Sequence, residues 1–321
     1  MGERPEITRS RDRRRTRARP LAAVAVAVLV AAAGCGDAGP ARTADTAPTP
    51  TRSSTPTPAS TGSPAPPDLP APDAKIPTDA AKLAAALERT TSRLDEAIEA
   101  WTAGGKAAKG PPPEEVELLA LHQQRIYRYA ARHPKVAARA FARLPAGPAA
   151  QARDNTAAIR ELLSLAHPIK GSATFKVRDP LPAGTLLGYF KKAERRFGVE
   201  WEVLAAVMFA ETKFGRVCSA SHVGAQGPMQ FMPATWKAYG MGGDIQNARD
   251  AVMAAANYLR ATGAPGDYRR ALHAYNPSQA YVNAILLHAR QIKRDAGNFY
   301  AYYAWQVYVI TTTGERRLTG P

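Results

Sequence analysis

Val203-Leu204-Ala205-Ala206-Val207-Met208-Phe209-Ala210-Glu211 is a run of eight apolar residues that ends in a carboxylate. The run is apolar on every face. Its spacing predicts a helix over about 199–212 that lies in a core rather than on a surface. A glutamate at the end of such a helix is in the wrong place to be charged. Apolar surroundings disfavour the ionised form, and the last helical turn presents the negative end of the dipole. No Lys or Arg occupies the preceding turns, although Lys213 follows two residues later. Taken alone, Glu211 has two readings. It is a carboxyl kept protonated near neutral pH and suited to donate a proton, or it reaches solvent at the helix edge or pairs with Arg216.

Outward from this run, an amphipathic helix is predicted from about Gly184. Leu186, Phe190, Ala193 and Phe197 form its apolar stripe, Lys191, Lys192, Arg195 and Arg196 face out, and Gly198 ends it. Downstream lies Ser221-His222-Val223-Gly224-Ala225-Gln226-Gly227-Pro228-Met229-Gln230-Phe231-Met232-Pro233, and later Ala274-Tyr275-Asn276. With Glu211-Thr212-Lys213-Phe214-Gly215, these stretches, in this order and spacing, resemble the lytic transglycosylases of the lysozyme superfamily. They are similar to the soluble lytic transglycosylase domain and to the membrane-bound B type, whose Glu-Thr-x-x-Gly and Gln-Phe-Met-Pro recur here.

The resemblance covers about 181–294 and implies a mainly α, lysozyme-like catalytic domain over 181–296. It implies an enzyme that cuts the β-1,4 bond between N-acetylmuramic acid and N-acetylglucosamine in the glycan strands of peptidoglycan. Glu211 would be the sole general acid and base. Ser221 would help position the reacting sugar, Met229 and Gln230 would line the cleft floor, and Tyr275 would sit near the acid with Asn276 supporting its loop. No metal and no cofactor is implied. The substrate's acetamido group would assist departure, and the muramic acid 6-hydroxyl would close onto C1 to leave a 1,6-anhydro end. A hydrolytic muramidase on the same fold and a non-cutting peptidoglycan-binding lipoprotein are the rival readings.

Other residues nearby have plainer uses. Met229, Phe231 and Met232 also suit core packing, and Trp236 suits either a core or a sugar platform. Two-carboxylate glycosidases need a partner for the acid. Asp244 sits in the loop Gly242-Gly243-Asp244, and Asp250 reads as a helix N-cap. Neither has a clear claim, with Asp244 the first suspect. Cys218 reads as a small buried hydrophobe.

The front of the chain reads as an address and a tether. An Arg-rich start is followed by apolar Leu21 to Val30 and then by Ala31-Ala32-Ala33-Gly34-Cys35. That apolar run is short for a membrane-spanning helix and ends as an export signal does. Small residues before Cys resemble the bacterial lipoprotein signal, with Ala at position 32 where that signal prefers Leu. Residues 1–34 are expected to be a signal peptide, and Cys35 the lipidated residue of an exported membrane lipoprotein facing the cell wall. Residues 35–77, rich in Pro, Thr and Ser, are expected to be a disordered linker.

Residues 78–168 show helical spacing, as at Leu83, Leu87, Leu94 and Ile98, and are expected to form a helical bundle or hairpin. Nothing in that region converges as a chemical site. The break at 169–183 looks like a domain boundary, so a fragment starting near Ser172 is expected to fold and cut alone. In the aromatic extension 297–321, alternation at Trp305, Val307 and Val309 suggests a short strand. Its aromatics read as packing residues, with a carbohydrate platform as the alternative.

The net charge of +16 raises the question of nucleic acid. Residues 1–20 hold eight Arg against Glu3, Glu6 and Asp12, so five of those charges leave with the signal peptide. The remaining basic residues do not alternate with aromatics as an RNA-binding surface would. An anionic wall polymer is the expected partner, with the membrane reached through the lipid. Cys35 and Cys218 are the only cysteines, too few for a disulfide scaffold.

Overall fold

The computed structural model describes residues 69–321. The expected signal peptide, Cys35 and the expected linker up to residue 68 lie outside the described residues. The chain is mainly α, with one two-stranded sheet at its end. Helix α1 (Ala80–Thr102) begins at Asp79, whose carboxylate accepts from the amides of Ala81 and Lys82 at 3.0 Å. The predicted stripe Leu83, Leu87, Leu94 and Ile98 is buried. After a 3-10 stretch (Ala103–Ala108), α2 (Glu114–Arg132) opens with three glutamates in its first turn, where the helix dipole favours negative charge. Then come α3 (Pro134–Phe141) and α4 (Ala146–Ser164).

The second half contains α5 (Ala183–Phe197), α6 (Trp201–Thr212), α7 (Pro233–Tyr239), α8 (Ala248–Thr262), α9 (Tyr268–Tyr275), α10 (Gln279–Arg294) and α11 (Gly297–Ala304). Gly198 ends α5 at φ 69°. α6 is the helix predicted from the apolar run. Its residues from Val203 to Thr212 are all buried, and each large side chain contributes about 1.5–3 kcal/mol by leaving water.

Both halves share one core. α4 lies along α10, and α2 packs on α4 and α11. Buried residues from Leu83 to Trp305 form one hydrophobic cluster. Polar ties cross the same seam. Gln124 and Gln306 exchange two hydrogen bonds at 2.9 Å, Tyr302 donates to Asn155 at 2.5 Å, and Arg290 and Gln291 both reach Asp154. The stretch 169–183 is bound at both ends: Ile169 donates to Ile310 O at 3.0 Å, and Arg178 donates to Arg216 O at 2.9 Å. The expected boundary is a connector laid across a common core.

Three further expectations change. Residues 69–77, read as disordered linker, are seated on the helices. Leu69 and Ile76 pack against the core, and Arg125 donates to the carbonyls of Pro72 and Asp73. The strand expected around Trp305 begins later: β1 (Tyr308–Thr311) pairs antiparallel with β2 (Gly314–Arg317). Phe299, Tyr302 and Tyr303 sit at helical spacing and are nearly fully buried, so packing overrides their strand preference. Asp250 is not the N-cap of α8. Asn247 is, accepting from the amides of Arg249 and Asp250.

Candidate active site

α6 terminates in three consecutive left-handed residues, Lys213, Phe214 and Gly215, with φ 52°, 60° and 85°. The amide of Phe214 donates back to Met208 O at 3.3 Å and that of Lys213 to Phe209 O at 3.1 Å, which satisfies the last carbonyls of the helix. Two non-glycine residues in this region cost roughly 1–2 kcal/mol each, and the surrounding core holds them there. This sharp exit fixes Glu211 in the final helical turn.

Thr212 then clamps the motif loop to the helix end. Its hydroxyl donates to Pro228 O at 2.7 Å and accepts from the amide of Gly215 at 2.8 Å. The loop itself is a tight turn in which Gln226 and Phe231 exchange two backbone hydrogen bonds at 2.9 Å. Gly227, at φ 73°, passes so close to Ile245 that an added Cβ would lie 1.9 Å from Ile245 O. Only glycine fits there. Tyr275 anchors the far side, its hydroxyl donating to Met229 O at 2.6 Å.

Glu211 is 4% exposed. One oxygen, Oε1, accepts from the Tyr281 hydroxyl at 2.7 Å. The other, Oε2, is buried with no hydrogen-bond partner among the described residues. Burial pushes the carboxyl up to about 8, opposed by the Tyr281 hydrogen bond and the Lys213 charge. Burial, and then the charge of Glu211, push the phenols of Tyr275 and Tyr281 well above their ordinary value, so Tyr281 stays protonated and donates. The arrangement is a neutral carboxyl with one oxygen tethered and the other available to carry a proton. Arg216 does not pair with Glu211. It donates to Lys213 O and lies over the Tyr303 ring.

The residues implied by the resemblance fall in different settings. Tyr275 lies close enough to Glu211 to feel its charge. Met229 is fully buried, and Gln230 is buried with its amide donating to Gly227 O at 3.0 Å. Asn276 is buried at the end of α9. Ser221 is half-buried, and its hydroxyl accepts from the amide of Ala225 at 2.9 Å, closing the turn before the motif loop. Trp236 is half-buried against Phe231. Asp244 is exposed and caps its own loop by accepting from the Gln246 amide. Cys218 is half-exposed rather than buried.

Sequence reasoning missed Tyr281, which touches the acid directly. The available signal was a tyrosine in place of an aliphatic residue on the buried stripe Tyr281, Val282, Ile285, three residues after the N-cap Ser278.

Residues 188–295, about a third of the chain, match the family model described as the transglycosylase SLT domain. The match is consistent with a lysozyme-like lytic transglycosylase domain and supports that broad activity, on peptidoglycan, for this segment. No curated protein and no solved structure matches the chain.

Proposed function

We propose that this domain cleaves the β-1,4 bond between N-acetylmuramic acid and N-acetylglucosamine, with Glu211 as its single acid and base. The observation that carries this reading is the state of Glu211: buried, raised to about 8, and tethered by Tyr281 at one oxygen only. A carboxyl neutral at pH 7 can protonate the leaving oxygen. The acetamido group of the muramic acid supports C1 as the bond breaks. The resulting carboxylate takes the proton of the 6-hydroxyl as that oxygen closes onto C1. Water is not consumed, and the new end is a 1,6-anhydro sugar.

A single carboxylate suits this route better than hydrolysis, which in its usual form needs a second carboxylate about 5–9.5 Å away. Among the described residues no Asp or Glu contributes to the shift of Glu211, and Asp244 is engaged in its loop. Ser221 is the residue we assign to direct sugar contact. Met229 and Gln230, both buried, hold the loop that forms the floor, and Tyr275 with Asn276 fixes that floor against the acid. Among the described residues no helix is long and apolar enough to cross a membrane. We assign export to residues 1–34 and membrane attachment to acylated Cys35. Cys35→Ala should then release the protein from membranes, and unchanged association with no lipid mass on the mature N-terminus would refute the anchor.

Digestion of purified peptidoglycan in heavy-oxygen water, read by mass spectrometry, tests the reaction. Unlabelled 1,6-anhydro ends are expected. Label at new reducing ends would mean a hydrolase, and intact strands would leave a binding protein.

A further inference from the structure

Behind α6, on the side of Lys213, lies a cavity of about 80 Å³, bounded by α2, α4, α6, α10 and β1. Its polar lining includes several donors, beside the Gln124 amide and the neutral His288 ring, which also accept. Lys213 contributes its ammonium, which donates to Phe209 O at 3.0 Å and stands 4.1 Å from the centre of the Phe209 ring. Trp305 Nε1 and both ring nitrogens of His288 have no partner among the described residues, although Trp305 is 2% and His288 1% exposed. Arg128 Nε is also buried without a partner, while the end of its guanidinium pairs with Glu315. No lining residue is Asp or Glu. The Lys213 amine, the unpartnered Nε of Arg128 and an indole N–H therefore converge in a lining without a carboxylate, while Glu315 holds the far end of the Arg128 guanidinium.

The electrostatics agree with that geometry. The Lys213 ammonium is pushed down to about 7, first by burial and then by the charge of Arg128. Arg128 is itself lowered to about 9, by burial and then by Arg132. An anion between Lys213 and Arg128 would relieve both. The remaining walls are apolar, with Ile159, Leu162, Phe209 and Val309 among them. The rim at Leu162, Tyr308 and Ile310 is only partly buried. A cavity of ~150 Å³ admits benzene, so this one encloses about three non-hydrogen atoms, the size of a carboxylate group, and the further atoms of a guest lie at the rim.

We propose that this cavity is a binding site for a small carboxylate with a short apolar body, gripped by Lys213 and Arg128 with the Trp305 indole N–H as a further donor. The carboxylate is either a free short-chain acid or the alanine-sized end of a larger molecule that leaves through the partly buried rim. The site stands apart from Glu211 and does not depend on the cleavage reaction, because occupancy is read without any glycan.

The full chain labelled with ¹⁵N-tryptophan tests it. The four tryptophans give four indole signals, and Trp305→Phe identifies the one at the cavity. Sodium propionate at constant ionic strength should move that signal saturably, in the millimolar range, while sodium chloride does not. Lys213→Met should weaken the response at least tenfold, and Lys213→Arg should keep most of it. N-acetylalanine binding as well as propionate assigns the site to a chain end, whereas propionate alone assigns it to a free acid. A signal that does not saturate, that follows chloride equally, or that is unchanged in folded Lys213→Met overturns the proposal and leaves a solvent-filled cavity.

Discussion

Glu211 and Lys213 leave the same helix end two residues apart, and burial acts on them with opposite sign. On one side the carboxyl meets the phenols of Tyr281 and Tyr275, and its affinity for a proton rises to about 8. On the other side the ammonium meets Phe209, Arg128 and the cavity under β1, and its affinity for a proton falls to about 7. Low dielectric favours the neutral form of both. What differs is the company each group keeps. The phenols that the acid meets stay neutral and hold its geometry, which suits a proton donor. The base is surrounded by other cations and by the N-terminal helices, which ties it to the architecture. The left-handed turn at Lys213 and Phe214 lets one short segment serve both sides.

The harshest way to break this comparison is to remove the back wall. Deleting residues 69–168 takes away α1 to α4, and with them Gln124, Arg128 and the surface that covers α10 and α11. The fragment starting near Ser172, expected from sequence to fold and cut, should instead lose cooperative unfolding and bind a hydrophobic dye. Cooperative melting with retained cleavage would mean that the front face stands alone.

On the front face, Glu211→Gln keeps shape but cannot donate a proton. Glycan cleavage should fall about 100- to 10,000-fold, toward the high end if the same residue also serves as base, as proposed. Normal cutting by this variant would remove the mechanism. Tyr281→Phe should cost less, about 10- to 100-fold, the worth of one hydrogen bond to an ionisable group. That bond lowers the pKa of Glu211, so its loss raises it. The alkaline limb of the pH–rate profile should therefore move upward in the Phe variant. A drop in rate without that movement would make Tyr281 a packing residue only.

Much of the front face was legible in the sequence, because its signals are local. Eight apolar residues before Glu211 point to a buried acid, and the motif stretch 221–233 marks the loop that Thr212 and Tyr275 hold beside it. Tyr281 escaped because its role is set by a contact spanning 70 positions, which no periodicity records. The back face was hardly legible. Periodicity places Leu83 and Leu87 on a buried stripe but does not name what covers them. Leu69 and Ile76 are the only large apolar residues of the proline-rich segment, and each anchors it. Composition alone read their stretch as disordered. Asn247 and Asp250 are equally good caps by type, and only the start of α8 chooses between them.

The finest distinction between the faces lies in how stability follows pH. Unfolded, Glu211 would ionise near its ordinary 4.5. Folded, it does so near 8. Between those values the unfolded state binds fewer protons, so the acid lowers stability progressively as pH rises, in full above about 8. Glu211→Gln removes that penalty. Its melting temperature should match the wild type near pH 4.5 and exceed it by on the order of 10 °C at pH 8, a gain of about 4 kcal/mol. Lys213 follows the reverse rule. Its ordinary value is 10.5 and its folded value about 7, so its penalty is complete below 7 and is relieved as pH rises toward 10.5. Lys213→Met should therefore gain most in acid, and its advantage should shrink in alkali. Melting curves of the two variants plotted against pH should cross. Parallel curves would mean that the two ionisable groups are not opposed across α6, and that at least one of them is solvated in the folded protein.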